Sequence, residues 1–239
     1  MSTNSLMIRV NDIEVQVVRK DIKNLYVSVY PPDGRVRVSL PLHVTDDHAR
    51  LAVISRLKWI RKQQSRFLLQ PGQPRQKLLS GESHYVFGRR HLLEVVGRRG
   101  RHEILVKDNS TLSLYVNPDT TQSNRERVLN EWYRDLMKDR VPALLEKWQS
   151  ITGKEVAEWG VKRMKTRWGT CNIARRRIWL NLELAKKPVE CLEYVLVHEL
   201  VHLYERYHND NFNRYMDKFM PQWREHRDTL NQAPLVHAG

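Results

Sequence analysis

The run from Glu190 to Tyr207 predicts one helix, and that helix carries two histidines four residues apart, His198 and His202. Pro188 precedes the run, where a helix accepts proline because its first turn has no N–H partner to lose. A helix advances about 100° per residue, so the two imidazoles lie on one face, about 6 Å apart along the axis. Two imidazoles placed in this way can bind one zinc ion from one side.

Glu199 completes a His-Glu-x-x-His pattern on this helix. It is turned about 100° from His198, so it flanks the ion and can act as a general base towards water. A catalytic zinc site needs a third protein ligand and leaves its fourth position open. His208 is the first candidate, but a continuing helix would point it about 240° away, so the chain must turn back after His202. Asn209, which tolerates left-handed backbone, could assist that turn.

Other residues remain open as the third ligand. Glu205 is a poor candidate, because it lies about 10 Å from His198 along the same helix. Glu225 and His226, on the following helix, are the reserve candidates. Two other interpretations are a chance match to the motif and a structural zinc site, although a structural site usually uses more cysteine and has no open position.

The composition places the chain among globular proteins. Its 239 residues are 41% hydrophobic, which suffices for one large or two small domains with a real core. No run of about 18 apolar residues is present, so we predict no membrane-spanning helix and no membrane partner. The N-terminus shows no secretory signal pattern, and the two cysteines, Cys171 and Cys191, argue against a disulfide framework. We therefore expect a cytoplasmic protein.

The N-terminal half predicts small antiparallel sheets with one helix. Between residues 6 and 42, apolar and polar residues alternate with period two, which is typical of half-buried strands. Turns are expected at 11–12 and at 31–34, where two prolines precede an Asp-Gly pair. Thr45 or Asp46 can cap a helix that runs to about Leu69. Further strands are predicted over 83–93, 92–96, 103–106 and 112–116, and no internal repeat is visible.

A basic loop lies between two of these predicted strands. Arg98, Arg99 and Arg101 occupy what we interpret as a hairpin loop, whose tip could contact phosphates. No aromatic residues are interleaved with them, so base stacking is not indicated. The formal net charge of +14 favours polyanions or acidic substrates through long-range attraction, although a solvated basic surface explains it equally well. Nucleic acid or a nucleotide is therefore an open partner.

The best boundary is Asn117-Pro118-Asp119, which divides the chain into a β-rich region, 1–118, and a helix-rich region, 119–239. The second region begins with a predicted helix over about 123–148 that Pro142 kinks or divides. Two short strands follow, at about 158–164 and 177–182. The predicted fold class is therefore α+β, with the histidine helix in the second region.

The segment between the two short strands, 165–171, mixes cations, an aromatic ring, glycine and cysteine, unlike an ordinary turn. Arg167 could hold a substrate carboxylate or a developing anion, or it could simply pair with an acidic side chain. Cys171 could bind zinc, but one cysteine with three histidines would close the site, so a packing role is preferred.

The chain resembles the YgjP-like metallopeptidase family, also called the domain of unknown function 45 family. The matching segments are 165–171, 178–182, 194–203, His208 and Phe212. Thr170 stands where the family usually has serine, and Asn213 stands where it often has tryptophan. The resemblance extends more weakly into the N-terminal half.

This family is similar to the SprT-like and other zincin peptidases in its helix-borne zinc site. The resemblance implies His198, His202 and His208 as zinc ligands and Glu199 as the base. It also implies a zincin-like catalytic domain, with a small sheet against helices, over 119–239. It implies no particular substrate.

Three hypotheses follow for the function. The first is a zinc-dependent hydrolase acting on peptides or proteins, with an extended substrate added to the sheet near 179–182. The second is a zinc-dependent phosphohydrolase acting on nucleotides, although no glycine-rich phosphate loop is evident. The third is a nucleic-acid-associated protein in which any activity is secondary.

Overall fold

The structure is a computed structural model that describes residues 5–30, 33–69 and 77–232. The chain divides into two compact units, one within residues 1–75 and one within residues 76–235. Each unit has its own buried apolar cluster.

The first unit is a four-stranded sheet with two helices packed on it. Its elements are β1 (Ser5–Val10), β2 (Ile13–Lys20), β3 (Tyr26–Tyr30), β4 (Arg35–Pro41), α1 (Asp46–Ser55) and α2 (Leu57–Leu69). The strand order is β1-β2-β4-β3, with β2 and β4 parallel. Alternate valines such as Val36 and Val38 face Ala49 and Val53 of α1 in the core. Arg56 leaves the helical conformation, so the helix predicted over 45–69 is in fact two helices.

The second unit begins with a sheet of the same topology. Its strands are β5 (Ser83–Val86), β6 (Arg89–Gly97), β7 (Glu103–Val106) and β8 (Thr111–Val116), in the order β5-β6-β8-β7. The two sheets thus repeat one arrangement that was not visible in the sequence.

Because β8 lies between β6 and β7, the loop with Arg98, Arg99 and Arg101 does not join neighbouring strands. The prediction of a hairpin loop there was wrong. The predicted turn at 31–34 lies between β3 and β4 of the first unit, and its residues 31–32 lie outside the described residues.

A long helix, α3 (Gln122–Thr152), packs on this second sheet. The Thr121 hydroxyl caps its start by accepting from the Asn124 N–H, and Gly153, in the left-handed conformation, ends it. The helix continues through Pro142, which does not divide it. Side chains of β8 and α3 share one buried cluster. The predicted boundary at 118 therefore falls inside one compact unit, which lies within residues 76–235. Whether residues 119–239 alone carry the catalytic function stays a prediction.

The remaining elements form a small sheet and three helices. They are β9 (Glu158–Lys162), β10 (Gly169–Asn172), β11 (Arg177–Asn181), a 3-10 helix (Leu182–Lys186), α4 (Val189–Val201), α5 (Asp210–Phe219) and α6 (Trp223–Gln232). The sheet order is β10-β11-β9, with β11 parallel to β9 and antiparallel to β10. Strand β10 was not predicted, and α4 is shorter than the predicted helix over 190–207. The predicted α+β fold class is confirmed.

Helix α4 is buried on nearly all sides. Its fully buried apolar side chains include Leu192, Leu196, Val197, Leu200 and Val201. A helix at the centre of a domain has little polar surface, which agrees with the mostly apolar residues of α4. Within the described residues, no helix is long and apolar enough to cross a membrane.

We predict that Gly160→Ala lowers the free energy of unfolding by about 1–3 kcal/mol, the usual cost of overpacking. Gly160 of β9 lies opposite Trp179 of β11, and an added Cβ would overlap the indole ring. Gly97→Ala is the matched control, because its Cβ would meet only Pro118, at an ordinary 3.7 Å. Urea denaturation of both variants measures the difference, and equal stabilities would contradict this packing.

Candidate metal centre

The chain turns back sharply at the end of α4, and this turn brings His208 towards the helix. The N–H groups of Leu203 and Tyr204 donate to carbonyls three residues earlier, at 3.0 and 2.9 Å, which tightens the last turn. Asn209 then caps α5, and its side chain accepts from the Phe212 N–H at 3.0 Å. Asn209 has extended backbone (φ −103°, ψ −172°), so it assists the return as a helix cap and not through the predicted left-handed conformation.

Three imidazoles converge as a result. The ring centroids of His198, His202 and His208 lie 4.8–4.9 Å apart, and one ligand atom from each lies within 4.8 Å of the others. The Nε2 atoms of His198 and His208 are 3.0 Å apart. The buried ring of Phe212 contacts all three imidazoles, with centroid distances of 4.7–4.9 Å. The ring of Phe212 therefore packs against all three candidate ligands.

Burial favours the neutral, metal-binding form of two of these imidazoles. Burial is the main cause that lowers the pKa of His198 to about 3, with a contribution from the positive charges that His202 and His208 can carry. Burial also lowers the pKa of His202, although the carbonyl of Glu205 opposes this effect. The Nδ1 atom of His202 lies 3.1 Å from that carbonyl and can donate to it, which leaves Nε2 free for an ion. The Nδ1 atom of His198 is buried without a partner in the described part of the chain.

The donor set fits a metal ion. A tetrahedral zinc with bonds of about 2.0–2.1 Å separates two nitrogen ligands by roughly 3.3 Å, close to the 3.0 Å between two of these atoms. Imidazole nitrogen suits zinc, and also copper, iron and nickel. The reserve candidates Glu225 and His226 do not join this group within the described residues. The Glu205 carboxylate instead accepts from the Tyr207 N–H at 3.0 Å.

Glu199 lies beside the triad, under strand β10. Its side chain is buried, and burial raises its pKa to about 8, against the lowering effect of the Arg167 charge. It makes no hydrogen bond or ion pair with any other described residue. Gly169 of β10 approaches it so closely that an added Cβ would lie 2.6 Å from Glu199 Oε1. This glycine is therefore required by the contact between the strand and the helix.

A cleft of about 1120 Å³ opens over these groups. Its walls come from the segment 167–174, from α4 and from the turn that carries Arg206. Arg167 thus lies in the cleft, as its predicted role requires, but no contact yet assigns that role. Cys171 also lines the cleft, outside the histidine group, and burial raises the pKa of its thiol to about 11.

Asn181 was missed as a site residue, although it organises the loop before β10. Its fully buried side chain donates to the carbonyls of Met164 and Arg167 at 2.9 and 2.7 Å, and it accepts from the Met164 N–H at 3.3 Å. Its own N–H donates to the Trp168 carbonyl at 2.9 Å. An asparagine at the end of a predicted strand was the only sequence signal for this role.

The basic loop lies apart from the cleft. Arg98 pairs with Glu103 and lies over the ring of Tyr115, 4.4 Å from its centroid, so it is engaged within the protein. Arg99 and Arg101 are exposed and have no ion pair with another described residue. A nucleic-acid role for these arginines stays a prediction.

We predict that His208→Ala weakens metal binding by more than the roughly 10- to 100-fold typical of removing a ligand's hydrogen-bond partner. The reason is that one of three converging nitrogens is lost. Zinc titration by calorimetry measures the effect, with His226→Ala as the control histidine. Full binding by His208→Ala together with lost binding by Glu225→Ala would show that the third ligand is misassigned.

Two comparisons with known proteins found a match. The model of the YgjP-like metallopeptidase domain matches residues 23–233. No curated protein matches the chain. One similar solved structure is the crystal structure of the metallopeptidase zymogen of Pyrococcus abyssi abylysin, with 27% identity and a TM-score of 0.35, covering 37% of this chain and 89% of that one. Because the family model spans most of its length, this chain belongs to the YgjP-like metallopeptidase family.

Proposed function

We propose that this metallohydrolase is a zinc-dependent peptidase in which His198, His202 and His208 hold the ion and Glu199 is the general base. The observation that carries the proposal is the convergence of three imidazoles beside a carboxyl group that has no hydrogen-bond partner among the described residues, at the floor of an open cleft. Three protein ligands leave one position for water or substrate, which distinguishes a catalytic site from a structural one.

Zinc at this site would polarise the scissile carbonyl and lower the pKa of the attacking water. Glu199 would accept the proton of that water and deliver it to the leaving amine. Two features support this role. The carboxyl group has no competing partner among the described residues, and burial raises its pKa to about 8, which makes it a stronger base than an exposed glutamate.

Strand β10 supports a peptide as the substrate. It is an edge strand of the small sheet, and its residues 169–172 line the cleft. An extended peptide can pair with such an edge and be held across the site through its backbone. Strand β11, which contains most of the predicted docking segment 179–182, is instead the central strand with a partner on each side. The expected alignment of the substrate therefore moves from β11 to β10.

Glu199→Gln should abolish hydrolysis while the fold and zinc content are preserved, because glutamine is nearly isosteric and cannot accept the proton. The assay compares zinc-loaded and chelator-treated protein on casein-derived peptides and, as a second arm, on nucleotides. Turnover by Glu199→Gln at the wild-type rate would remove this residue from the mechanism. Zinc-dependent turnover of nucleotides alone would replace peptidase by phosphohydrolase.

Gly169→Ala should reduce turnover by about 100-fold, a loss typical of a catalytic group misplaced by about 1 Å. The added methyl group must displace either the Glu199 carboxylate or strand β10. Zinc affinity should stay within a few-fold of wild type, since no histidine is touched. Gly97→Ala is the matched control, and wild-type turnover by Gly169→Ala would contradict the contact between Gly169 and Glu199.

A further inference from the structure

The permanent charges that line the cleft are all positive. Among the described residues of its walls, Glu199 is the only acid, and it lies on the floor as the proposed base. The permanently charged groups of the walls are Arg167, from the loop before β10, and Arg206, from the turn after α4. A substrate that enters the cleft therefore meets two guanidinium groups and no carboxylate on the rim.

Both arginines are without an ion-pair partner among the described residues. Neither side chain makes a hydrogen bond or ion pair with another residue of the described chain, and both are exposed. Arg206 lies 5.8 Å from the ring centroid of Tyr207, while its neighbour Glu205 is engaged by the Tyr207 N–H. Elsewhere in this unit, arginines such as Arg98 and Arg224 are paired with carboxylates. Arg99 and Arg101 also have no ion pair with another described residue, but they lie outside the cleft, whereas Arg167 and Arg206 line it.

The backbone that carries Arg167 is fixed in place. Its carbonyl accepts from the buried Asn181 side chain at 2.7 Å, and the next carbonyl, of Trp168, accepts from the Asn181 N–H. A side chain on an ordered loop loses less conformational entropy on binding than one on a mobile loop.

The turn that carries Arg206 is anchored on both sides. The Tyr204 hydroxyl donates to the Thr152 carbonyl, and its ring stacks on Tyr215 with centroids 4.6 Å apart. The Glu205 carbonyl lies 3.1 Å from His202 Nδ1. Both arginines therefore extend from ordered backbone segments into the cleft that the three histidines also line.

We propose that Arg167 and Arg206 make this cleft selective for peptides that carry a carboxylate near the scissile bond. Guanidinium groups bind carboxylates through paired, charge-assisted hydrogen bonds, and they do so better than ammonium groups. The formal net charge of +14 would also attract such substrates at long range. The inference rests on the proposed peptidase function, of which it names the substrate class.

The carboxylate can come from an acidic side chain or from the C-terminus of a short peptide. Quenched fluorescent peptides separate these sources. One series is amidated and carries a single glutamate at successive positions around the cleavage site, and each glutamate peptide has a glutamine counterpart. A second series is neutral and differs only in a free or amidated C-terminus.

Cleavage and binding are measured separately, so that failure of the inference differs from failure of the peptidase proposal. The zinc-loaded wild type gives kcat and KM for each peptide. Fluorescence anisotropy with the Glu199→Gln protein gives the affinity for the same peptides without turnover. Variants Arg167→Glu and Arg206→Glu are compared with Arg140→Glu, an equal charge change at an exposed site on α3, and with Arg206→Lys.

The carboxylate peptides should bind about 5- to 10-fold more tightly than their neutral counterparts, the upper range for an exposed ion pair, with the gain in KM and not in kcat. Each Arg→Glu change at the cleft should remove that preference, Arg206→Lys should retain part of it, and Arg140→Glu should leave it intact. Raising the ionic strength should reduce it, because salt screens exposed charges.

Equal affinity for both peptide types would overturn the inference while leaving the peptidase proposal standing, provided that zinc-dependent cleavage occurs. An equal loss in Arg140→Glu would also overturn it, because the preference would then come from overall charge. Selective binding without cleavage of any peptide would keep the inference and overturn the peptidase proposal. Absence of both binding and cleavage would overturn both.

Discussion

The reversal of the chain at the end of α4 is the constraint on which the site depends. A straight helix would carry His208 away from His198 and His202, so the helix must end at Val201 and the chain must return within a few residues. The tightened last turn and the Asn209 cap of α5 make that return possible. Phe212, in the first turn of α5, then packs under all three imidazoles. The geometry of the metal centre thus follows from where α4 ends and α5 begins.

A buried helix provides the rigid support for these groups. Because α4 is enclosed by the sheet, α3, α5 and α6, it cannot tilt without disturbing the core of the whole second unit. The same burial lowers the pKa of His198 and His202 and raises the pKa of Glu199 to about 8. Strand β10 closes over the helix only because Gly169 has no side chain, and Asn181 fixes the loop that leads into this strand. The burial of α4 therefore determines the packing of this site, the pKa of its buried groups and the position of strand β10 beside the cleft.

Local patterns were sufficient for part of this arrangement. Helical periodicity predicted that His198 and His202 share one face of the helix and that Glu199 lies beside them. These predictions needed only the spacing of residues within one helix. His208 was the first candidate for the third ligand, although the reversal that it requires has no glycine signal, and the family resemblance added support for it over Glu225. Strand β10 is four residues of Gly, Thr, Cys and Asn, which carry no alternating pattern and were not predicted. The hairpin predicted around Arg98 to Arg101 was wrong because β6 pairs with β8, which no local pattern reports.

X-ray absorption at the zinc edge, on protein loaded with one equivalent of zinc, tests the central claim most directly. If the three histidines hold the ion, the first shell contains three imidazole nitrogens at about 2.0 Å and one further light atom, without sulfur. A sulfur scatterer at about 2.3 Å would show that Cys171 closes the site, and a six-coordinate oxygen shell would show that the histidines do not hold the ion. Either result would contradict the catalytic metal centre described above.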